Sequence, residues 1–315
     1  MRKWLDHWML PGAIVLGTTL YIIYHFSPGL HAYGSWLHPL VSEGQRVVIA
    51  ILLFFQFVKI SPHDLKFTRW HLKALAFQTG LFLSLTGCVL FLEPGPVRML
   101  LECAMLCFIC PTAAAAGVIT AKIGGNLPGI MTYTILSDLL ASVLIPLMIP
   151  LVHPSSDISF FSAFWVIIRK VFSILVLPLL LAWFIRYALP GVQKWLARYV
   201  GWAFYVWGIG LALALSLATG ALVTSRIAVL AALGIAVVSL LCCLFQFWLG
   251  RRVARCYSHS ESVTAGQALG QKNTGFIIWL GLNYMTPVTS VAGGLYAVWH
   301  NLVNSWELYR YRKTN

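Results

Sequence analysis

Long apolar stretches dominate the chain, and short segments rich in Lys, Arg, Gly and Pro separate them. A helix needs about 20 predominantly apolar residues to cross the hydrocarbon core of a bilayer. The pattern therefore predicts membrane-spanning helices joined by short loops, with an interfacial helix at 158–170. The ten predicted spans are 8–26, 38–59, 70–92, 97–122, 127–152, 171–189, 195–222, 227–250, 261–284 and 287–308.

The composition agrees with an all-α integral membrane protein. Of the 315 residues, 59% are hydrophobic and 10% are charged, and the mean hydropathy is +0.81. A soluble domain carries roughly 25% charged residues, so the composition excludes an ordinary soluble enzyme, a disordered chain and a nucleic-acid-binding module. We expect a multi-pass protein of the cell membrane, in contact with lipid and not with nucleic acid.

The distribution of basic residues predicts the orientation. The net charge is +13, and in membrane proteins Lys and Arg collect in cytoplasmic loops. With the N-terminus inside, sixteen Lys and Arg fall on the cytoplasmic side. The remaining ones lie outside, at Arg98, Arg169, Lys170 and Arg226, or within spans, at Arg46 and Lys272. Both basic tails are thus predicted to be cytoplasmic, which requires an even number of spans.

Ten spans divide into two sets of five, at residues 1–155 and 156–315. Because five is an odd number, a duplicated second half would be inverted in the membrane, which is a recurring plan among transporters. Two spans carry Pro and Gly at corresponding places, as PTAAAAG at 111–117 in the fourth and GQALGQKNTG at 266–275 in the ninth. Broken helices expose backbone groups that bind ions and anions. A Gly-rich packing seam between helices is the alternative.

The residues around these breaks resemble the bile acid:sodium symporter family, whose prokaryotic members also move pantoate-like and other organic anions. GQKNTG at 270–275 is similar to the family's G-x-Q-N-S-G, and VWHN at 298–301 is similar to its tenth-span motif. Gln78 and Thr134 match family positions at the ion site. The resemblance implies two inverted five-helix repeats that form a panel domain and a core domain. In the core, two discontinuous helices, spans four and nine, cross.

The sequence departs from that family where sodium is bound. Ala268 stands in place of a glutamate and Lys272 in place of a glutamine, while Ala116, Gly117 and Ile130 replace polar residues. An ammonium group within about 4 Å would repel a cation by several kcal/mol at an effective dielectric constant near 20. Sodium coupling of the family's kind is therefore not expected.

Lys272 and Asp138 are the charged residues that this site has gained. A Lys near the bilayer midplane costs roughly 2.5–3.5 kcal/mol, so it needs a partner or a water-filled cavity. Asp138 lies one turn beyond Thr134 on the same helix face and is the candidate counter-charge. Together they would supply a fixed internal cation or a proton-coupled route. The alternatives are a Lys that reaches the surface and an Asp hydrogen-bonded in helix packing.

Two sets of candidate residues follow. The predicted ion or coupling site comprises Gln78, Thr134, Asp138, Gln271 and Lys272. By the resemblance, the substrate lies among Thr112, Gly117, Asn273, Thr274, His300 and Asn301. A protonated His300 could bind an anion.

We therefore predict a secondary transporter that moves a small organic anion, such as a bile acid, pantoate or a keto acid, by alternating access. Two alternatives stay open, a sodium-coupled symporter with rearranged ligands and a non-transporting membrane sensor or receptor. An intramembrane enzyme is disfavoured because the sequence has no H-E-x-x-H motif and no paired intramembrane carboxylates. No catalytic residue, metal site or cofactor is predicted.

Overall fold

The computed structural model describes residues 2–154, 158–224 and 228–314. It is 86% helical, and no strand occurs among the described residues. The helices are α1 Arg2–Phe26, α2 Pro28–His31, α3 Gly34–Val58, α4 Arg69–Leu90, α5 Pro96–Ile109, α6 Ala116–Lys122, α7 Leu127–Val152, α8 Phe160–Leu175, α9 Leu177–Ala188, α10 Pro190–Arg198, α11 Ala203–Thr224, α12 Val229–Ala254, α13 His259–Gly270, α14 Thr274–Tyr284 and α15 Pro287–Thr314. The predicted all-α class is confirmed. Arg226 and the predicted boundary between residues 155 and 156 lie outside the described ranges.

Several helices have the length and composition of membrane spans. Within the described ranges, α3, α4, α7, α11 and α12 are each long and apolar enough to cross a bilayer. Helices α8 and α9 meet the same criterion as a pair bent by 44°. Pro178, in the first turn of α9, lacks the N–H that would continue the hydrogen-bond ladder. These helices support a membrane-embedded protein.

The structure differs from the predicted boundaries around the sixth and seventh spans. The predicted interfacial helix at 158–170 is part of α8, which continues to Leu175 and buries Val171 and Ile174. The predicted seventh span at 195–222 is divided, because α10 ends at Arg198 and α11 begins at Ala203. Helix α10 mixes Lys and Arg with apolar residues and buries none of its side chains, as expected of a surface helix.

The helices pack in two groups. Helix α11 packs against both α1 and α3, and α3 also packs against α9. Helices α4, α5, α7, α12 and α13 form a second group, in which α12 lies along α13 and α5 contacts α4 and α12. Helix α15 contacts both groups, through α12 and α11. The interrupted pairs α5–α6 and α13–α14 lie where the two groups meet.

Candidate functional site

The two interrupted helices meet at their breaks. Thr112, between α5 and α6, pairs with Lys272, between α13 and α14, as an isolated antiparallel bridge. On either side of this pair, the Ala113 N–H donates to the Gln271 carbonyl (3.0 Å) and the Asn273 N–H donates to the Pro111 carbonyl (2.9 Å). The backbone groups that the breaks release therefore satisfy one another, as backbone inside a membrane protein must.

Local sequence explains both breaks. Pro111 lacks an N–H and disfavours the helical conformation of the residue before it, and Cys110 is accordingly extended, with ψ of 133°. At the other break, α13 ends at Gly270, and the backbone of Gln271 is extended. Asn273 then starts α14 as its N-cap, because its side-chain oxygen accepts from the Phe276 N–H (3.2 Å).

The last carbonyl groups of α5 are bound by side chains from other helices. An α-helix leaves its final carbonyls without partners in the helix, and inside a membrane they need other donors. The donors here are Gln246 to Cys107 (3.2 Å), Lys272 to Phe108 (3.3 Å) and Gln78 to Ile109 (3.4 Å). These carbonyls are thus occupied by protein groups.

The end of α13 is capped in the same way. The Thr112 hydroxyl donates to the Ala268 carbonyl (2.7 Å). The Tyr296 hydroxyl donates to the Gly270 carbonyl (2.9 Å). Each broken helix therefore receives a side-chain donor from the loop or helix that packs on it.

Lys272 is fully buried, with an exposed fraction of 0%. Its ammonium lies at the C-terminal end of α5, where the helix dipole presents partial negative charge and favours a cation. The side chain does not reach the surface in this conformation, in contrast to the alternative considered from the sequence.

Asp138 is buried on α7, with an exposed fraction of 2%, and neither carboxylate oxygen has a hydrogen-bond partner. No ion pair within 4.0 Å joins it to Lys272 in the described part of the chain. Direct pairing is thus absent from this conformation, and the role of Asp138 as counter-charge stays a prediction.

The other predicted ion-site residues are engaged by protein groups. The Gln78 carbonyl oxygen accepts from the Tyr133 hydroxyl (2.8 Å). Thr134 donates to the Ile130 carbonyl of its own helix (2.9 Å), and Gln271 donates to the Gln267 side chain. All three predicted residues are buried.

A cavity of about 800 Å³ lies between α3 and α11 on one side and the meeting of the breaks on the other. Most of its wall is apolar, from residues such as Leu52, Trp207 and Leu211. Of the predicted substrate residues, it includes Gly117, Asn273, Thr274, His300 and Asn301. Thr112 is fully buried and is not among the lining residues. Gln271 and Lys272 border the same cavity.

Four buried polar atoms on the cavity residues have no hydrogen-bond partner among the residues that the structure describes. They are Oε1 of Gln45, Oε1 of Gln56, Nδ1 of His300 and Oδ1 of Asn304. Buried polar groups are normally paired, so these four atoms are exceptions, and all of them belong to residues that border the cavity. The sequence analysis missed Gln45, Gln56 and Asn304. The available signal was polar residues inside apolar spans, with His300 and Asn304 one helical turn apart.

A buried chain of polar side chains leads away from the second break, and the sequence analysis missed it. Gln271 donates to Gln267, which in turn donates to the Glu307 carboxylate (2.7 Å). Arg251 forms an ion pair with the other oxygen of Glu307 (2.5 Å). Glu307 has an exposed fraction of 6%. This chain links α12, α13 and α15 behind the break.

A second buried acidic residue, Glu102 on α5, was also missed. Arg98 donates to its carboxylate (3.0 Å), and His153 lies 3.3 Å from the same oxygen. Arg98 also donates to the Val152 carbonyl (2.8 Å). This cluster ties the beginning of α5 to the end of α7.

No protein-family model matches the chain, and a search of curated proteins finds no significant match. Within the described residues, no group of three or more His, Cys, Asp or Glu side chains is placed to hold a metal ion.

Proposed function

We propose that the chain is a secondary transporter of an organic anion, with an architecture like that of the bile acid:sodium symporters. In this proposal ten spans form two inverted five-helix repeats in the cell membrane, with both termini cytoplasmic. The helix group around α3 and α11 is the panel domain, and the group around the two breaks is the core domain. The core rocks against the panel and exposes the cavity to each side in turn.

The observation that carries the proposal is the cavity at the meeting of two interrupted helices. It lies between the two helix groups, where relative motion would change access to it. Its lining places a small number of polar side chains among mostly apolar ones, as ligand pockets do. Its mostly apolar wall suits a ligand with an apolar body and a small number of polar groups.

The charges around the cavity favour an anion. No Asp or Glu is among its lining residues in the described part of the chain. Lys59 and Lys122 lie along it and belong to loops predicted to be cytoplasmic. The N-terminus of α14 borders it at Asn273 and Thr274, and helix N-termini attract carboxylates and other anions. Lys272, which borders the same cavity, adds positive charge.

We further propose that the sodium mechanism of the resembling family is replaced here. The carbonyls at the ends of α5 and α13 already accept hydrogen bonds from Lys272, Gln246, Gln78, Thr112 and Tyr296. A sodium ion would have to displace these donors and approach an ammonium group. Lys272 thus takes the place of the coupling ion as a cation fixed to the chain.

Binding followed by transport tests the function. Purified protein is screened by thermal shift against mono- and dicarboxylates and sulfonates with apolar bodies of increasing size, and each ligand found is followed by counterflow in proteoliposomes. We expect stabilisation by a subset of these anions, and exchange of the same ones across the membrane. Binding without exchange would favour a sensor or receptor, and no response to any anion would contradict the proposal.

Two adjacent valines provide a matched control for the cavity. Val48 lines the cavity, whereas Val47 is not among its lining residues and is half exposed on the outer surface of α3. Val48→Trp should fill the cavity and abolish anion binding, while Val47→Trp should bind like the wild type. Equal binding by both variants would place the ligand elsewhere.

A further inference from the structure

A second cavity, of about 460 Å³, lies at the end of α12 and the beginning of α13, apart from the central cavity. Arg251 and Arg252 of α12 and Arg255, the residue that follows this helix, line it together with Ser258 and His259. No carboxylate is among its lining residues in the ranges that the structure describes. The cavity is therefore a concentration of positive charge in a concave surface.

The three guanidinium groups differ in what they already bind. Arg251 forms an ion pair with the buried Glu307 (2.5 Å), and this holds its side chain in place. Arg252 and Arg255 have no hydrogen-bond or ion-pair partner for their side chains within the described residues. Two guanidinium groups are thus free to bind an oxyanion with their paired N–H donors.

Within the described residues, Glu307 pairs with Arg251, but no nearby carboxylate forms an ion pair with Arg252 or Arg255. Glu261 is not among the lining residues, and it accepts from the Trp70 indole N–H (2.5 Å) and from the Asn126 amide (2.6 Å). Glu307 is shared between Arg251 and Gln267. The Ser258 hydroxyl accepts from the Glu261 N–H (3.1 Å), and its own hydrogen remains free to donate.

Trp248 lies at the edge of the cavity with 58% of its surface exposed. Tryptophan is enriched at the membrane–water interface, so this residue fits a cavity at the level of the lipid headgroups. Basic residues at the cytoplasmic end of a span also orient the protein. Orientation alone, however, requires neither a concave arrangement nor an interfacial Trp beside two unpaired arginines.

We propose that this cavity binds a phosphate group, either in the headgroup of an anionic phospholipid or in a soluble phosphate. Basic pockets between spans on the cytoplasmic side are suited to such headgroups. The inference does not depend on the transport function, because it rests on residues outside the central cavity.

The experiment is native mass spectrometry of the purified full-length protein in detergent. The protein is titrated with phosphatidylglycerol or with phosphatidylcholine, and a thermal-shift titration with inorganic phosphate forms a separate arm. The test variant is Arg252→Gln with Arg255→Gln. The control variant is Lys194→Gln with Arg198→Gln, which removes the same charge from exposed positions on α10.

We expect phosphatidylglycerol to bind in preference to phosphatidylcholine, and the test variant to bind it roughly tenfold more weakly. The control variant should keep the wild-type preference. Phosphatidylglycerol binding without any effect of inorganic phosphate identifies a lipid site. A stabilising effect of inorganic phosphate that the test variant loses identifies a site for soluble phosphates. Loss of preference in both variants, or no response of the wild type to either probe, would overturn the proposal.

Discussion

The ammonium group of Lys272 donates a hydrogen bond to the carbonyl of Phe108, 3.3 Å away, at the C-terminal end of α5. Phe108 belongs to α5, whereas Lys272 lies between α13 and α14. The Lys272 side chain therefore caps the end of α5, and its backbone pairs with Thr112 in the break that follows α5. A resident positive charge therefore sits where helix carbonyls would otherwise attract a free cation. This relationship is the basis of the proposed sodium-independent mechanism.

Replacing Lys272 with glutamine should impair function. Lys272→Gln removes a positive charge at the cavity wall, so anion binding should weaken by about tenfold or more, which corresponds to the loss of about 1.4 kcal/mol of electrostatic attraction. Lys73→Gln, at an exposed position of α4, is the control and should bind as the wild type does. The affinity of both variants is measured by thermal-shift titration with an anion that the wild type binds. Full affinity in Lys272→Gln would mean that the residue has only a structural role.

Thr112→Val should destabilise the meeting of the breaks. The substitution preserves shape but removes the donor to the buried Ala268 carbonyl, and an unpaired buried acceptor costs about 1–3 kcal/mol. Thr219→Val is the control, because its hydroxyl donates only within its own helix. Thermal denaturation in detergent should therefore give a lower Tm for Thr112→Val than for Thr219→Val. Equal Tm values would refute a capping role for Thr112.

Two cavity side chains should contribute to substrate binding. His300 and Asn273 line the cavity, and Nδ1 of His300 has no hydrogen-bond partner within the described ranges. The double variant His300→Ala with Asn273→Ala should lose anion binding yet remain folded by size-exclusion chromatography. His38→Ala with Asn283→Ala removes the same residue types from exposed positions outside the cavity and should keep binding. Wild-type affinity in the first variant would refute the assigned substrate site.

Two ion pairs of the protein should differ in their contribution to stability. Glu307 is buried with Arg251 and Gln267, whereas Glu43 pairs with Arg46 (2.6 Å) in a largely exposed position. Glu307→Gln should lower the free energy of unfolding by roughly 1.5–3 kcal/mol, because it weakens hydrogen bonds to a charged group. Glu43→Gln should cost about 0–1 kcal/mol. Thermal denaturation should therefore give a lower Tm for Glu307→Gln than for Glu43→Gln. A lower Tm for Glu43→Gln would contradict the prediction.

Both termini should be cytoplasmic. The prediction follows from the excess of Lys and Arg in the loops assigned to that side. Single cysteines introduced at Lys3 and at Lys313, in a background without the exposed Cys88 and Cys256, should react with an impermeant maleimide only after the cells are opened. Labelling of either position in intact cells would show that the proposed topology is incorrect.

The sequence contains enough information to place most helices, because a span requires a long apolar run and its ends are marked by charge, Pro or Gly. The breaks at Pro111 and near Gly270 were predictable for the same reason. The division between α10 and α11 was not, since the apolar residues of α10 continue the hydrophobic run although this helix lies at the surface.

The pairings within the site depend on contacts between distant segments, and these could be only partly predicted. Burial of Lys272 followed from the length of the surrounding apolar helix. Its partner did not, because a carbonyl such as that of Phe108 carries no signal in the sequence. The donors Gln246 and Tyr296 and the chain through Gln267 and Glu307 were missed for the same reason, as single polar residues in otherwise apolar spans.

The central claim is that Lys272 replaces the coupling sodium ion, and reconstituted transport tests it most directly. Uptake of a bound anion into proteoliposomes is measured with equal concentrations of Na⁺, K⁺ or choline outside, for the wild type and for Lys272→Gln. The account predicts the same uptake in all three salts for the wild type, and a loss of uptake in the variant that Na⁺ does not reverse. Clear stimulation of the wild type by millimolar Na⁺ would contradict it.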